Sequence, residues 1–302
     1  MRSIITLLGV LGIAYLASGC GEPTQRAAES SLNESKPGLD VDVLATGANI
    51  AGANGIHFGP DGLLYVASVI GSSLTVLDPD SGEIVRTLSA QDGVYGPDDV
   101  AFASDGSYFW TTILTGEVAG FDADGNRVVA AQLPPGPNPI TFSDDDRLFV
   151  AQCFLGTNVY ELDPKGVQAP RVIADDLGPG CGLNGMDWGP DKRLYGPRWF
   201  VGEVISLDVD TGERRVEATG FTTPAAVKFD SHGVLHVLDT GAGENQVLTI
   251  CGKVDRAAQR ANPNDVALGL QRLTRAAVVA TDRVQIGDPQ HIANHGDPAR
   301  VC

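Results

Sequence analysis

Positive charge is scarce in this chain: 21 Lys and Arg stand against 38 Asp and Glu, a formal net charge of −17 at pH 7. Binding to nucleic acid rests on cations that neutralise backbone phosphates, so this balance excludes a nucleic-acid partner. It suits cation binding and solubility instead. Histidine is sparse and scattered. His57 and His236 fall in strand-like segments, His232 in a turn, and His291 and His295 near the C-terminus, so no zinc signature forms. The apolar run from Ile4 to Ala17 is shorter than the roughly 20 residues a membrane-spanning helix requires.

That run belongs to a segment to be set apart from the fold. Arg2 supplies a positive start, and Ala17-Ser18-Gly19 precedes Cys20 as a small-residue cleavage site. The cysteine after three small residues resembles the bacterial lipoprotein box, in which it becomes the lipidated first residue, although Ala17 stands where that box usually has Leu. Residues 1–20 are therefore expected to be a lipoprotein-type signal peptide, with a plain secretory peptide cut nearby as the alternative. Residues 21–38, polar and without apolar period, are expected to be a flexible tether. The mature protein would sit in the cell envelope, held to the membrane through lipid alone. Export also places the remaining cysteines, Cys153, Cys181, Cys251 and Cys302, where disulfides persist.

The rest of the chain repeats. NGIHFGPDGLLYV from Asn54, DDVAFASDGSYFW from Asp98, NPITFSDDDRLFV from Asn138, NGMDWGPDKRLYG from Asn184 and AAVKFDSHGVLHV from Ala225 superimpose without a gap. Their starts lie 44, 40, 46 and 41 residues apart, the spacing of a four-stranded propeller blade. Each copy carries an aromatic four residues in, a turn, and a second apolar run. The first four continue into a further strand and turn, such as SLTVLDPDSGEIVRTL and GEVISLDVDTGERRVE. Short strands and evenly spaced turns predict an all-β fold, a β-propeller over residues 39–250.

Blade number is less plain. LDVDVLATGANI, before Asn54, reads as an outer strand that would complete a last blade formed mostly by residues 251–302, giving six. That C-terminal stretch contains no Phe, Trp or Tyr and carries seven Lys/Arg against five Asp/Glu, and only PNDVALGL echoes a blade opening. It is either a divergent last blade or an aberrant tail after the pattern stops near Ile250.

In a propeller, equivalent positions before each innermost strand meet around the axis. Here they are Asn54, Asp98, Asn138, Asn184 and Ala225, with Asp99 beside Asp98. Such a ring offers the hard oxygen ligands that calcium prefers, and zinc less often. The competing explanation is that Asn and Asp cap turns through their own backbone. Metal ligands are thus expected at Asn54, Asn138, Asn184 and Asp98. The loop after the second strand emerges on the same face and carries Arg198, which could hold a carboxylate or polarise a carbonyl, or could be a surface cation beside Trp199. Cys153 and Cys181 are expected to approach on that face. A disulfide is favoured over a catalytic thiol, because neither segment holds a His to activate one.

LNGMDWGPDKRLYG together with GEVISLDVDTGE resembles the gluconolactonase/regucalcin-like family of six-bladed propellers, over about residues 45–250. The resemblance implies one divalent metal, calcium or zinc, held at the channel mouth by a Glu, an Asn and an Asp from different blades, polarising a lactone carbonyl and activating water. Asn184 corresponds to the family's Asn. The Glu position is Asn54 and the Asp position is Ala225, so both carboxylates are absent, and Asp98 or Asp99 from the second blade would have to act as ligand or acid/base. The expected function is a metal-dependent hydrolase of lactones or related esters acting on a small molecule. The alternative is a non-enzymatic propeller that binds a ligand or a protein at its mouth.

Overall fold

Each copy of the repeat folds into its own antiparallel sheet. The computed structural model describes residues 43–240 and, for the backbone alone, 246–250. The expected signal peptide with Cys20, the tether, Cys251, Cys302 and the 251–302 segment lie outside the described residues. The first sheet holds β1 (Ala53–Phe58), β2 (Leu64–Ser68), β3 (Ser73–Leu77) and β4 (Ile84–Leu88) in that order. The second holds β5 (Pro97–Phe102), β6 (Tyr108–Thr112), β7 (Glu117–Phe121) and β8 (Arg127–Gln132). The third is β9 (Pro137–Phe142), β10 (Leu148–Gln152), β11 (Val159–Leu162) and β12 (Arg171–Ala174). The fourth is β13 (Asp187–Trp188), β14 (Leu194–Arg198), β15 (Glu203–Leu207) and β16 (Arg214–Thr219). The last is β17 (Pro224–Phe229), β18 (Leu235–Asp239) and β19 (Gln246–Ile250).

The turns explain the repeat's fixed columns. The ninth residue of every copy has positive φ: Gly62 (78°), Gly106 (90°), Asp146 (63°), Lys192 (63°) and Gly233 (74°). Glycine takes that left-handed conformation without steric cost, which is why it recurs there. The turn aspartate before it holds a tyrosine hydroxyl in two blades. Asp61 accepts from the Leu63 amide at 3.1 Å and from the Tyr65 hydroxyl at 3.0 Å, and Asp191 accepts from Tyr195 at 2.9 Å. An aspartate also opens the turn after each third strand in the first four blades. Asp78, Asp122, Asp163 and Asp208 each accept backbone amides at 2.7–3.1 Å, local bonds that fix the turn before any tertiary packing.

Sheets of this kind are too thin to bury their own faces, and four apolar clusters each span two neighbours. Tyr65, Ala67, Leu74 and Val76 of the first sheet pack on Val100, Trp110 and Ala119 of the second. Phe109 and Val118 meet Ile140, Leu148 and Val150 in the next cluster. Phe149 and Val159 meet Leu194, Ile205 and Leu207, and Tyr195 and Val204 meet Val227 and Val237. The inner strands accordingly lie against one another in the order β1, β5, β9, β13, β17. This radial stacking is a β-propeller. Burial shows where the ring opens among the described residues: β9 is buried at all six positions, whereas β1 and β17 keep accessible residues. That is the place for the last blade of a six-bladed propeller with a defective end.

One expectation is corrected. Residues 43–50 form no strand; they end in a short 3-10 turn, Ala48–Ile50. Leu44, Ala45 and Ile50 instead pack over Leu64, Val66 and Leu77, covering the face of the first sheet that no described blade reaches. The Leu44 carbonyl lies against Gly82 as the outer-strand carbonyls of Val129 and Ile173 lie against Gly166 and Gly212, so the segment takes an outer strand's place without a ladder partner among the described residues.

The Asn-Gly openings are where inner strands come closest. A Cβ on Gly55 would lie 2.6 Å from Asp99 Cα and 2.9 Å from the Asp98 carbonyl oxygen. One on Gly185 would lie 2.5 Å from Ala226 Cα, beside the 2.9 Å bond from the Val227 amide to the Gly185 carbonyl that joins blades four and five. The neighbours are backbone, which cannot turn aside. Gly185→Ala is therefore expected to cost about 1–3 kcal/mol through overpacking, read as a lower midpoint in urea unfolding; an unchanged midpoint would contradict this close approach.

Candidate functional site

The register places two sets of residues on one face. The last residue of the second strand pairs with the start of the inner strand: Ser68 with Ala53, Thr112 with Pro97, Gln152 with Pro137 and Asp239 with Pro224. The ring positions and the loops after the second strands therefore share the channel mouth.

At that mouth the structure brings Asn54 and Asp98 together across blades one and two. Asn54 Nδ2 donates to Asp98 Oδ1 at 2.7 Å. Asp98 is 2% exposed, and its Oδ2 is buried without a hydrogen-bond partner among the described residues. Burial pushes the carboxyl up to about 7, the neighbouring Asp99 adds to this, and the Asn54 bond opposes it. Asn138, also buried, follows at the head of β9, where its carbonyl oxygen accepts from Thr111 Oγ1 at 2.6 Å. Asn184 lies at the same point of blade four, with its Oδ1 accepting from the Gly185 amide at 3.1 Å. Ala225 contributes no polar atom.

Asp99 is differently engaged. Its Oδ1 accepts from the Val100 amide at 2.9 Å and its Oδ2 from the Ile140 amide at 3.2 Å, so it ties blade two to blade three. Burial raises its pKa despite Lys228 and those two bonds. Arg198 is likewise occupied: its guanidinium donates to the Leu177 carbonyl and pairs with Glu203. The same position does the same work in other blades. Ser68 Oγ donates to the Ala51 carbonyl at 2.5 Å, Gln152 Nε2 to the Pro135 carbonyl at 2.8 Å, and Asp239 accepts the Thr222 and Thr223 amides at 2.9 and 2.7 Å. Each fastens the segment that leads into the inner strand. Cys153 and Cys181 form a disulfide across the same join between blades three and four.

The oxygen donors at this mouth suit a hard cation in kind, and the orphaned Asp98 Oδ2 is a buried atom that such an ion would satisfy. The set holds a single carboxylate beside three amides, and no cluster of three His, Cys, Asp or Glu able to hold a metal exists among the described residues. A set with so little ligand charge would hold calcium only at the weak end of that ion's range.

A second constellation lies deeper, at the fourth residue of the copies, and reading only the first column of the repeat misses it. His57, Asp187 and Lys228 come from blades one, four and five. Lys228 Nζ donates to Asp187 Oδ1 and to the Met186 carbonyl, both at 3.3 Å, while Asp187 Oδ2 accepts the Phe229 amide at 2.8 Å. The surrounding protein disfavours the Lys228 charge only in part, since its side chain is 55% exposed, and Asp187 and Asp99 outweigh this and hold the ammonium above the usual lysine value. Enclosure and then Lys228 hold His57 below its usual value, so it is neutral at pH 7. At the far end of the inner strands a cavity of ≈ 370 Å³ is lined by His57, Thr141, Ser143, Asp144, Asp187 and Trp188, and by none of the ring residues. The polar fourth column, His-Ala-Thr-Asp-Lys, was the available signal.

Two outcomes are expected. The folded-state value of Asp98 exceeds the unfolded one, near 3.9, so its contribution to stability is full below about pH 4 and is lost as pH rises to about 7, on the order of 4 kcal/mol in all. Asp98→Asn should thus equal the wild type near pH 4 and exceed it at pH 8 in denaturant titrations, and a pH-independent difference would refute the assignment. The disulfide closes 28 residues of chain, worth about 3–4 kcal/mol by loop entropy. Cys153→Ala with Cys181→Ala should lower Tm by roughly 10 °C; a loss under about 2 °C would rule this out.

No protein-family model matches the chain, and no curated protein matches it in sequence. Solved structures do match its fold. A virginiamycin B lyase of Staphylococcus aureus superimposes with a TM-score of 0.53 at 18% identity, covering 62% of each chain. A streptogramin B lyase gives 0.55 at 15% identity, covering 72% of this chain and 74% of that one. A gluconolactonase of Xanthomonas campestris gives 0.54 at 17% identity, covering 69% and 74%. The chain thus spans about 62% of the length of the Staphylococcus lyase. At these identities the likeness is one of fold, and the fold is the β-propeller that gluconolactonases and streptogramin B lyase share with this chain.

Proposed function

We propose that this protein is an exported, lipid-anchored hydrolase that opens lactones or related esters at the channel mouth, with Asp98 as the acid/base group. The observation that carries the proposal is the unpartnered, buried Oδ2 of Asp98 on a carboxyl pushed up to about 7. A general base works best with a pKa near the operating pH. Asp98 Oδ2 takes a proton from one water enclosed within the collar as that water attacks the ester carbonyl. The same carboxyl then returns the proton to the departing alkoxide, so lactone and water give a hydroxy acid. Asn54 orients Asp98 through its amide, and Arg198, Gln152 and the disulfide hold the surrounding loops. A divalent cation, calcium in preference to zinc, would be held by side-chain oxygens of Asn54, Asp98, Asn138 and Asn184 and would polarise the carbonyl and acidify water. The fold likeness to gluconolactonases supports the substrate class.

Ala225 favours a second reading, a non-enzymatic propeller that presents the same mouth to a ligand, because an apolar residue in the ring withdraws a donor. The two readings separate on turnover. Ring opening of a δ-lactone, followed by acid release in a pH-stat without calcium, should rise with pH through about 7 as Asp98 deprotonates; millimolar calcium held by that carboxylate should shift the rise to lower pH. Asp98→Asn should lower kcat/KM by about 10²-fold or more. Absence of turnover in the wild type, or full activity in the variant, would overturn the hydrolase; thermal stabilisation by large ligands without calcium would then support the binding module.

A further inference from the structure

The cavity at the far end of the inner strands is a second place where unspent polar atoms meet apolar walls. Its lining comes from blades one to four and shares no residue with the ring at the mouth. Thr141 lies three residues beyond Asn138 on β9, about 10 Å along the strand, so the two places are distinct. At ≈ 370 Å³ the cavity is large enough for a small organic molecule.

Three polar groups there keep an atom without a partner among the described residues. Thr141 is only 7% exposed, and its hydroxyl makes no hydrogen bond although the residue lines the cavity. Buried hydroxyls are ordinarily satisfied, so this one is left for something that enters. His57 Nδ1 lies 2.8 Å from the Phe58 carbonyl oxygen, which can only accept, so Nδ1 carries the ring proton. Neutral, as enclosure keeps it, the ring presents Nε2 as a bare acceptor. Asp144 Oδ1 accepts from Trp188 Nε1 at 3.1 Å, and its Oδ2 stays open at the exposed rim.

Charge and walls point to one kind of occupant. Asp144, Asp146 and Asp187 line the space and no Lys or Arg does. Lys228, against Asp187, is already paired with it. The oxygens of Asp146 and Asp187 are taken by Ser104, Lys228 and the Phe229 amide, so these two supply field and Asp144 supplies contact. Carboxylates of one sign in an apolar cleft repel anions and concentrate cations. Trp188 lies flat on Phe149, with ring centroids 5.5 Å apart and planes 8° apart, and Asp144 pins its Nε1, so the indole is fixed in place. Phe102 packs on His57 at 5.4 Å. Aromatic rings attract organic cations. A metal ion is poorly served, because no group of three His, Cys, Asp or Glu able to hold one exists among the described residues.

We propose that this cavity is a binding site for a small protonated primary amine with an apolar body. Asp144 Oδ2 supplies the counter-charge, Thr141 Oγ1 and His57 Nε2 accept N–H groups, and Trp188 and Phe102 flank the apolar part. The site is independent of the acid/base role proposed for Asp98 at the mouth, and stands or falls separately from it.

The test follows the Trp188 indole N–H by nitrogen-15 NMR of the full-length chain, its peak assigned by its loss in Trp188→Phe. Phenethylamine should move this peak saturably below about 10 mM, whereas phenethyl alcohol and phenylacetate should leave it in place at the same concentration. The trimethylated amine keeps the charge but has no N–H to donate, and should bind at least about fivefold more weakly. Asp144→Asn, whose amide oxygen can still accept from Trp188, should weaken phenethylamine at least about tenfold. Thr141→Val, matched in shape, should weaken it about threefold. Indole peaks of Trp110 and Trp199 at their wild-type positions report that each variant is folded. No saturable movement with the amine, equal binding of the alcohol or the trimethylated amine, or unchanged affinity in either folded variant would overturn the proposal. So would movement of the same peak by millimolar calcium or magnesium in place of the amine.

Discussion

Everything in this molecule depends on how closely one inner strand is allowed to approach the next. The sheets cannot bury their faces singly, so the apolar clusters form between them, and the inner strands must converge where backbone meets backbone. Gly55 and Gly185 permit that approach, and hydrogen bonds from one blade's side chains to the next blade's backbone lock it. Asp99 to the Ile140 amide and Asp187 to the Phe229 amide are such locks. The polar residues in the middle of the propeller are thus first of all its mortar.

That double duty separates the groups available for chemistry from those already spent. Both Asp99 oxygens accept backbone amides and Arg198 is held between Leu177 and Glu203. Asp98 keeps one oxygen unpartnered in a buried place, where ionisation is costly. Asp191 Oδ1, in a turn of blade four, is also buried without a partner, so what sets Asp98 apart is its place in the ring together with the upward push on its ionisation. The loops above it are stiffened by recurrent ties and one disulfide, which gives the mouth a fixed rim.

Much of the fold was legible because the repeat is gapless. One aligned column predicts the left-handed turn at Gly62, Gly106 and Gly233, and the structure shows the same φ at Asp146 and Lys192, where residue identity gives no warning. The shared face of ring and loops also follows from strand register. What a single copy could not reveal is which side chains face a neighbouring blade. Asn54 and Asp98, 44 positions apart, are visibly equivalent, but their hydrogen bond is not. The same limit hid the Lys228–Asp187–His57 group in the fourth column, whereas Arg198 and Glu203 face each other within one hairpin of blade four. Residues 43–50 pack on the first sheet where an outer strand was expected, but form no ladder among the described residues.

The central claim is that radial stacking buries Asp98 at the mouth, beside Asn54, and shifts its ionisation to neutral pH. Titration of the Asp98 side-chain carboxyl by carbon-13 NMR reads this directly. The account predicts a midpoint at about 7, displaced further upward in Asn54→Ala, where the opposing hydrogen bond is gone. A midpoint near 4, the ordinary value for a solvated aspartate, would contradict it.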